Sequence, residues 1–134
     1  MLGEKVGHFS GRTQIKALPA IEGKPRFETT AATAGTLAGT EAQCMATYWS
    51  EMSADGTVYA ECPNSGVVMA ADGAATFKAT GTGHLTEDGG AVFKGVAYFT
   101  SSAPSLSSLN GKAVVYDWVV DGEGVGTWDL WEWK

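Results

Sequence analysis

Apolar and polar residues alternate along most of this chain, with a period of two. In 112–120, Val114, Tyr116, Trp118 and Val120 share one face, and Ala113, Val115, Asp117 and Val119 share the other. In 91–101, Phe93, Gly95, Ala97 and Phe99 alternate with Val92, Lys94, Val96 and Tyr98. Near the C-terminus Trp128, Leu130 and Glu132 oppose Trp131 and Trp133. A period of two is the signature of β-strands, whose successive side chains point to opposite faces of a sheet. No segment sustains a helical period beyond about two turns.

Turn signals separate these segments: Asp55-Gly56, Asp72-Gly73, Asp88-Gly89-Gly90, Asn110-Gly111 and Asp121-Gly122. Glycine supplies positive φ there, and Asp or Asn ties the turn through its side chain. The pattern predicts eight strands at 4–16, 26–38, 41–53, 57–62, 74–84, 91–101, 112–120 and 125–133. Leu18 to Pro25 reads as a loop, because each of its two prolines removes a ladder donor. Eight strands joined mostly by hairpins form a meander, which closes into a barrel or folds into a sandwich to remove or protect its edges, the barrel being the preferred reading. The expected fold is all-β: a single eight-stranded antiparallel meander barrel spanning residues 1–134.

Two segments invite closer reading. Between the sixth and seventh strands, Leu106 and Leu109 sit three apart among five serines, so one helical turn places both against a barrel end. The hairpin around Ser53-Ala54-Asp55-Gly56-Thr57 fixes a register that pairs Ser53 with Thr57, Glu51 with Tyr59 and Trp49 with Glu61. Thr47, Trp49, Glu51, Tyr59 and Glu61 then share one face. Cys44, Ala46, Tyr48, Ser50, Met52, Val58, Ala60 and Cys62 share the other, which carries no charge and so resembles core. Alternation alone leaves open which face points inward.

Composition narrows the functions. The 134 residues include 18 glycines, 9 Lys+Arg and 15 Asp+Glu, for a formal charge of −6. An acidic balance without a basic stripe argues against nucleic acid. No apolar run reaches the roughly 18 residues of a transmembrane helix, and Met1-Leu2-Gly3-Glu4-Lys5-Val6 lacks the apolar core of a signal peptide. The expectation is a cytoplasmic protein with no membrane partner and both cysteines, Cys44 and Cys62, reduced. Those cysteines fall on neighbouring strands four residues out of register, too far to bridge, and read as buried free thiols. His8 and His84 lack the clustered ligands of a metal site. Gly81-Thr82-Gly83 has neither the third glycine nor the following helix of a phosphate loop, and reads as a place where a strand bends. No cofactor is implied.

The segments Gly81-Thr82-Gly83-His84-Leu85, Ala103-Pro104-Ser105-Leu106-Ser107-Ser108-Leu109-Asn110-Gly111 and Trp128-Asp129-Leu130-Trp131-Glu132-Trp133-Lys134 resemble small bacterial calycin-like barrel proteins. Their architecture is similar to that of allene oxide cyclase-like and dirigent-like barrels. The resemblance covers roughly residues 30–134. It implies an eight-stranded antiparallel barrel with an apolar lumen, often oligomeric, in a group whose members cyclise reactive intermediates or steer radical coupling. No catalytic motif of the cyclases matches this chain residue by residue.

Three functions follow as expectations. The first is a barrel that holds a small apolar or aromatic molecule among Tyr48, Trp49, Tyr98, Tyr116 and Trp118, rings that combine apolar walls with polar tips. By the register above these rings do not all share one face. The second is a cofactor-free isomerase or cyclase with Glu61 or Asp117 as its acid or base, which requires a carboxylate inside the lumen where desolvation raises its pKa. The third is a homo-oligomeric interaction protein that uses Trp128, Trp131 and Trp133.

Overall fold

A computed structural model describes residues 1–134. Eight strands follow one another: β1 Leu2–Ile21, β2 Lys24–Leu37, β3 Thr40–Met52, β4 Thr57–Ala70, β5 Gly73–Leu85, β6 Ala91–Ser101, β7 Val114–Val120 and β8 Val125–Trp133. Each pairs antiparallel with the next, and β8 returns to β1, so the sheet closes into a barrel. A short 3-10 helix, Pro104–Leu109, lies between β6 and β7.

The turns between β1–β2, β3–β4, β5–β6 and β7–β8 gather at one end of the barrel. The other connections gather at the opposite end, where the 3-10 helix closes the barrel with Leu106 and Leu109, both buried. Removing a leucine side chain from water contributes about 1.5–3 kcal/mol, enough to hold so short a helix in place. Its start is fixed by Asp72 in the β4–β5 turn, whose carboxylate accepts from the Ser105 N–H at 2.8 Å and the Ser105 hydroxyl at 2.7 Å. The spacing of the two leucines foreshadowed this plug. Nothing in the sequence linked it to Asp72.

The structure corrects two boundaries. Residues 18–25 are not a loop: β1 runs through Pro19 to Ile21, and Glu22-Gly23 makes a two-residue turn with φ of 52° and 77°. Pro19 lies at a register shift in β1, past its last β8 pair, Arg12↔Val125, and Pro25 lies in the same irregular stretch. A missing donor costs little where no ladder bond is due. The β4 strand does not stop at Cys62. Pro63, Asn64 and Ser65 form a bulge, with Asn64 at φ 60°, and pairing resumes at Gly66↔Phe77. The bulge accommodates a proline that a regular strand would reject.

Turn chemistry explains why two hairpins went unmarked. Glu22-Gly23 and Ala38-Gly39 are both left-handed at two successive residues, the geometry usually signalled by Asn-Gly or Asp-Gly. Elsewhere aspartates tie the turns as expected. Asp55 accepts from the Thr57 N–H and hydroxyl, and Asp88 accepts from Thr86, Gly90 and Gly122.

Inside, rings lie over glycines. A Cβ on Gly126 would stand 2.3 Å from the Trp118 ring, and one on Gly66 would stand 2.2 Å from Phe77. Gly81 and Gly95 make room for the Tyr116 hydroxyl, and Gly83 lies against the Val92 backbone. Trp128 is the hub of the aromatic core, with Phe77, Tyr116, Phe9 and Phe99 at centroid distances of 5.1, 5.7, 5.9 and 6.2 Å.

Gly126→Ala is expected to destabilise the barrel by about 1–3 kcal/mol, since the added Cβ would overlap the buried Trp118 indole; urea unfolding checks it. A second expectation concerns acid. Hydrogen bonds from Thr57, Ser105 and Thr86 hold the carboxyls of Asp55, Asp72 and Asp88 below their ordinary range. Burial raises the Asp129 carboxyl, but hydrogen bonds from His8 and Lys5 outweigh it and leave it lowered too. A depressed folded pKa stabilises above the unfolded value of about 3.9 and loses that contribution as pH falls through the folded value. Melting temperature should therefore hold from neutral pH to about 5 and fall below about 4, with a shallower fall in Asp72→Asn.

Candidate functional site: an apolar cavity in the barrel

The uncharged face of the β3–β4 hairpin points inward. Cys44, Ser50, Val58, Ala60 and Cys62 are buried. The observed pairs Trp49↔Glu61 and Glu51↔Tyr59 match the register expected from the turn. Halfway along the lumen is a cavity of about 60 Å³, lined by 14 residues of which 12 are hydrophobic. Tyr48, Phe77, Phe93, Tyr116, Trp118 and Trp128 supply its rings, and Ala31, Ala46, Ala60 and Ala79 supply the gaps between them.

Polar groups at the cavity are largely satisfied by the protein itself. Trp118 donates from Nε1 to Tyr48 Oη at 3.0 Å, Tyr116 donates to the Thr80 carbonyl at 2.9 Å, and Thr33 donates to the Cys44 carbonyl at 3.5 Å. Such bonds remove the cost of burying a hydroxyl or indole N–H. Burial raises the Tyr48 and Tyr116 phenols, so both stay neutral donors near neutral pH.

The expected site residues divide between inside and outside. Tyr48, Tyr116 and Trp118 line the cavity; Trp49 and Tyr98 do not. Trp49 sits on the outer surface with the Arg26 guanidinium stacked 4.8 Å over its ring and Tyr59 at 5.7 Å, and Tyr98 is exposed. Period-two alternation places residues 48 and 49 on opposite faces, so both cannot serve one lumen. Asp117 is also outside, in an ion pair with Lys94 at 2.7 Å. Glu61 points outward as well, accepting from the Tyr59 hydroxyl at 2.9 Å, yet it borders the cavity. Neither carboxylate projects into the lumen: Asp117 pairs with Lys94 outside, and Glu61 lies at the cavity's border. Of the three tryptophans near the C-terminus, Trp128 is in the core, and Trp131 and Trp133 are on the outer face.

Both cysteines are free, buried and part of the cavity wall, a role that their sequence context did not signal. Burial pushes the Cys44 thiol up to about 12 and raises Cys62 as well. Outside the barrel, one Asp129 oxygen accepts from His8 Nδ1 at 2.6 Å and pairs with Lys5 Nζ at 2.8 Å.

No family model matches the chain, and no curated protein matches it in sequence. Solved structures match it in fold. A conserved protein of unknown function from Rhodopseudomonas palustris aligns with a TM-score of 0.79 at 11% identity, covering 98% of this chain and 97% of its own. A beta-barrel like protein from Acinetobacter baumannii aligns with a TM-score of 0.80 at 15% identity, covering 98% and 94%. A protein with unknown function from Clostridium acetobutylicum aligns with a TM-score of 0.77 at 9% identity, covering 98% of each chain. This chain is thus similar in fold to small bacterial barrel proteins. At these identities the likeness carries the architecture alone, and none of the three bears on allene oxide cyclase-like or dirigent-like chemistry.

A thiol is nucleophilic only as the thiolate, so the raised Cys44 and Cys62 should resist modification. Labelling of the native protein by a disulfide reagent is expected to be slower than in denaturant by on the order of 100-fold or more, with both thiols reacting once the barrel opens.

Proposed function

We propose that this protein is a small-molecule-binding barrel that holds a compact, mostly apolar ligand in its lumen. The observation that supports this reading is the cavity itself: about 60 Å³ of space walled by rings and alanines. One water needs about 10–15 Å³, and a genuinely apolar cavity stays dry and takes up apolar guests. Pockets for drug-sized ligands begin near 300 Å³, so the guest here is a molecule of a few heavy atoms. The Tyr116 hydroxyl and the Trp118 indole N–H already have partners in the protein, which makes apolar contact the main source of affinity inside.

Ala79→Leu projects a larger side chain into the cavity and should remain folded while losing the guest. Xenon and isobutanol are suitable probes, followed by fluorescence of Trp118 and Trp128, which line the cavity. A ligand at 100 times its Kd stabilises the native state by about 2.7 kcal/mol, which a melting curve detects. The wild type should respond to both probes and Ala79→Leu should respond at least about 10-fold more weakly. Equal responses from the two proteins would defeat the reading.

A further inference from the structure

Between β3 and β4 the ladder runs up to Ala46↔Gly66 and resumes only at Trp49↔Glu61, with two more residues on β4 than on β3 in the gap. The bulge of Pro63, Asn64 and Ser65 occupies this interval, pinned by the Ser65 hydroxyl, which donates to the Thr47 carbonyl at 2.5 Å. Residues flanking the break on both strands, Ala46 and Tyr48 on β3 and Glu61 and Cys62 on β4, all border the cavity. The break in the wall and the cavity therefore lie at the same level.

Glu61 is the only charged residue among the 14 that line the cavity. Its Oε2 accepts from the Tyr59 hydroxyl at 2.9 Å, whereas Oε1 has no protein partner. Trp49 stands directly across the ladder from it. An acceptor with unused capacity at the edge of an apolar cavity complements a guest with one donor-rich, positively charged end.

We propose that the break between β3 and β4 is the ligand portal, and that the ligand is a compact alkyl or aryl amine whose ammonium group binds Glu61 while its hydrocarbon end enters the lumen. The proposal rests on the reading of the lumen as a binding cavity and adds the route and the head group. A carboxylate head would meet Glu61 with like charge, and a neutral head would gain only an ordinary hydrogen bond.

Isobutylamine, isobutanol and isobutyrate share one hydrocarbon end and differ in the head, so their titration into the protein at pH 7, followed by amide NMR shifts, isolates the head group. The amine should bind at least about 10-fold more tightly than the alcohol, with the carboxylate weakest. Glu61→Gln should bring the amine to within about two-fold of the alcohol without changing the alcohol itself. Asp117→Asn, which removes a surface carboxylate that is not part of the cavity wall, should change none of the three. An amine that binds no tighter than the alcohol, or an amine preference that survives Glu61→Gln, overturns the portal assignment and leaves the lumen reading standing. Failure of all three compounds, together with failure of xenon, overturns both.

Discussion

The constraint on which this structure depends is the width of an eight-stranded barrel. Such a barrel is just wide enough for side chains to fill. Several rings project into this one, and they fit because neighbouring strands lack a Cβ where the rings lie. Trp118 lies over Gly126, Tyr116 over Gly81 and Gly95, and Phe77 over Gly66. Each glycine loses backbone entropy on folding and gives up a strand-forming side chain. The return is a large apolar ring packed at close range. Closure and aromatic filling are thus one problem with one solution, and the high glycine content belongs to it as much as to the turns.

The cavity is what remains where this filling is incomplete. Trp128 gathers Phe9, Phe77, Phe99 and Tyr116 around itself, and Tyr48 packs edge-on to Phe93 and Trp118. Alanines at 46, 60 and 79 leave space between these rings. The 3-10 helix seals one end with Leu106 and Leu109. In the wall, the bulge in β4 interrupts the ladder beside Glu61. Pro63 helps to create that bulge: a residue without an N–H cannot complete a regular pair, so the chain adds residues until pairing resumes.

Charge is kept to the outside. Asp117 and Lys94 pair across β6 and β7, Asp129 gathers Lys5 and His8, and Glu51 lies near Lys24 and Arg26. Exposed pairs of this kind contribute little each, typically about 0.2–1 kcal/mol. Their effect on the site is by exclusion, since no ionised group is drawn into the lumen.

Much of this was legible in the sequence for local reasons. Period-two alternation marked the strands and sorted the faces of β6, β7 and β8. The Asp55-Gly56 turn set the β3–β4 register, because a hairpin loop of known length admits one pairing. The three-residue spacing of Leu106 and Leu109 marked the plug. Other features depended on residues far apart in the chain. Which face of each strand turns inward follows from closure, because burial is decided by the whole sheet; that is why Tyr48 lines the cavity while its neighbour Trp49 does not. The bulge was hidden because Cys62-Pro63-Asn64 reads locally as a strand end, and only pairing with β3 and β5 on both sides carries β4 through it. The cavity has no sequence signature of its own, since an unfilled volume is a relation among side chains from β2 through β8 that meet only when the barrel closes.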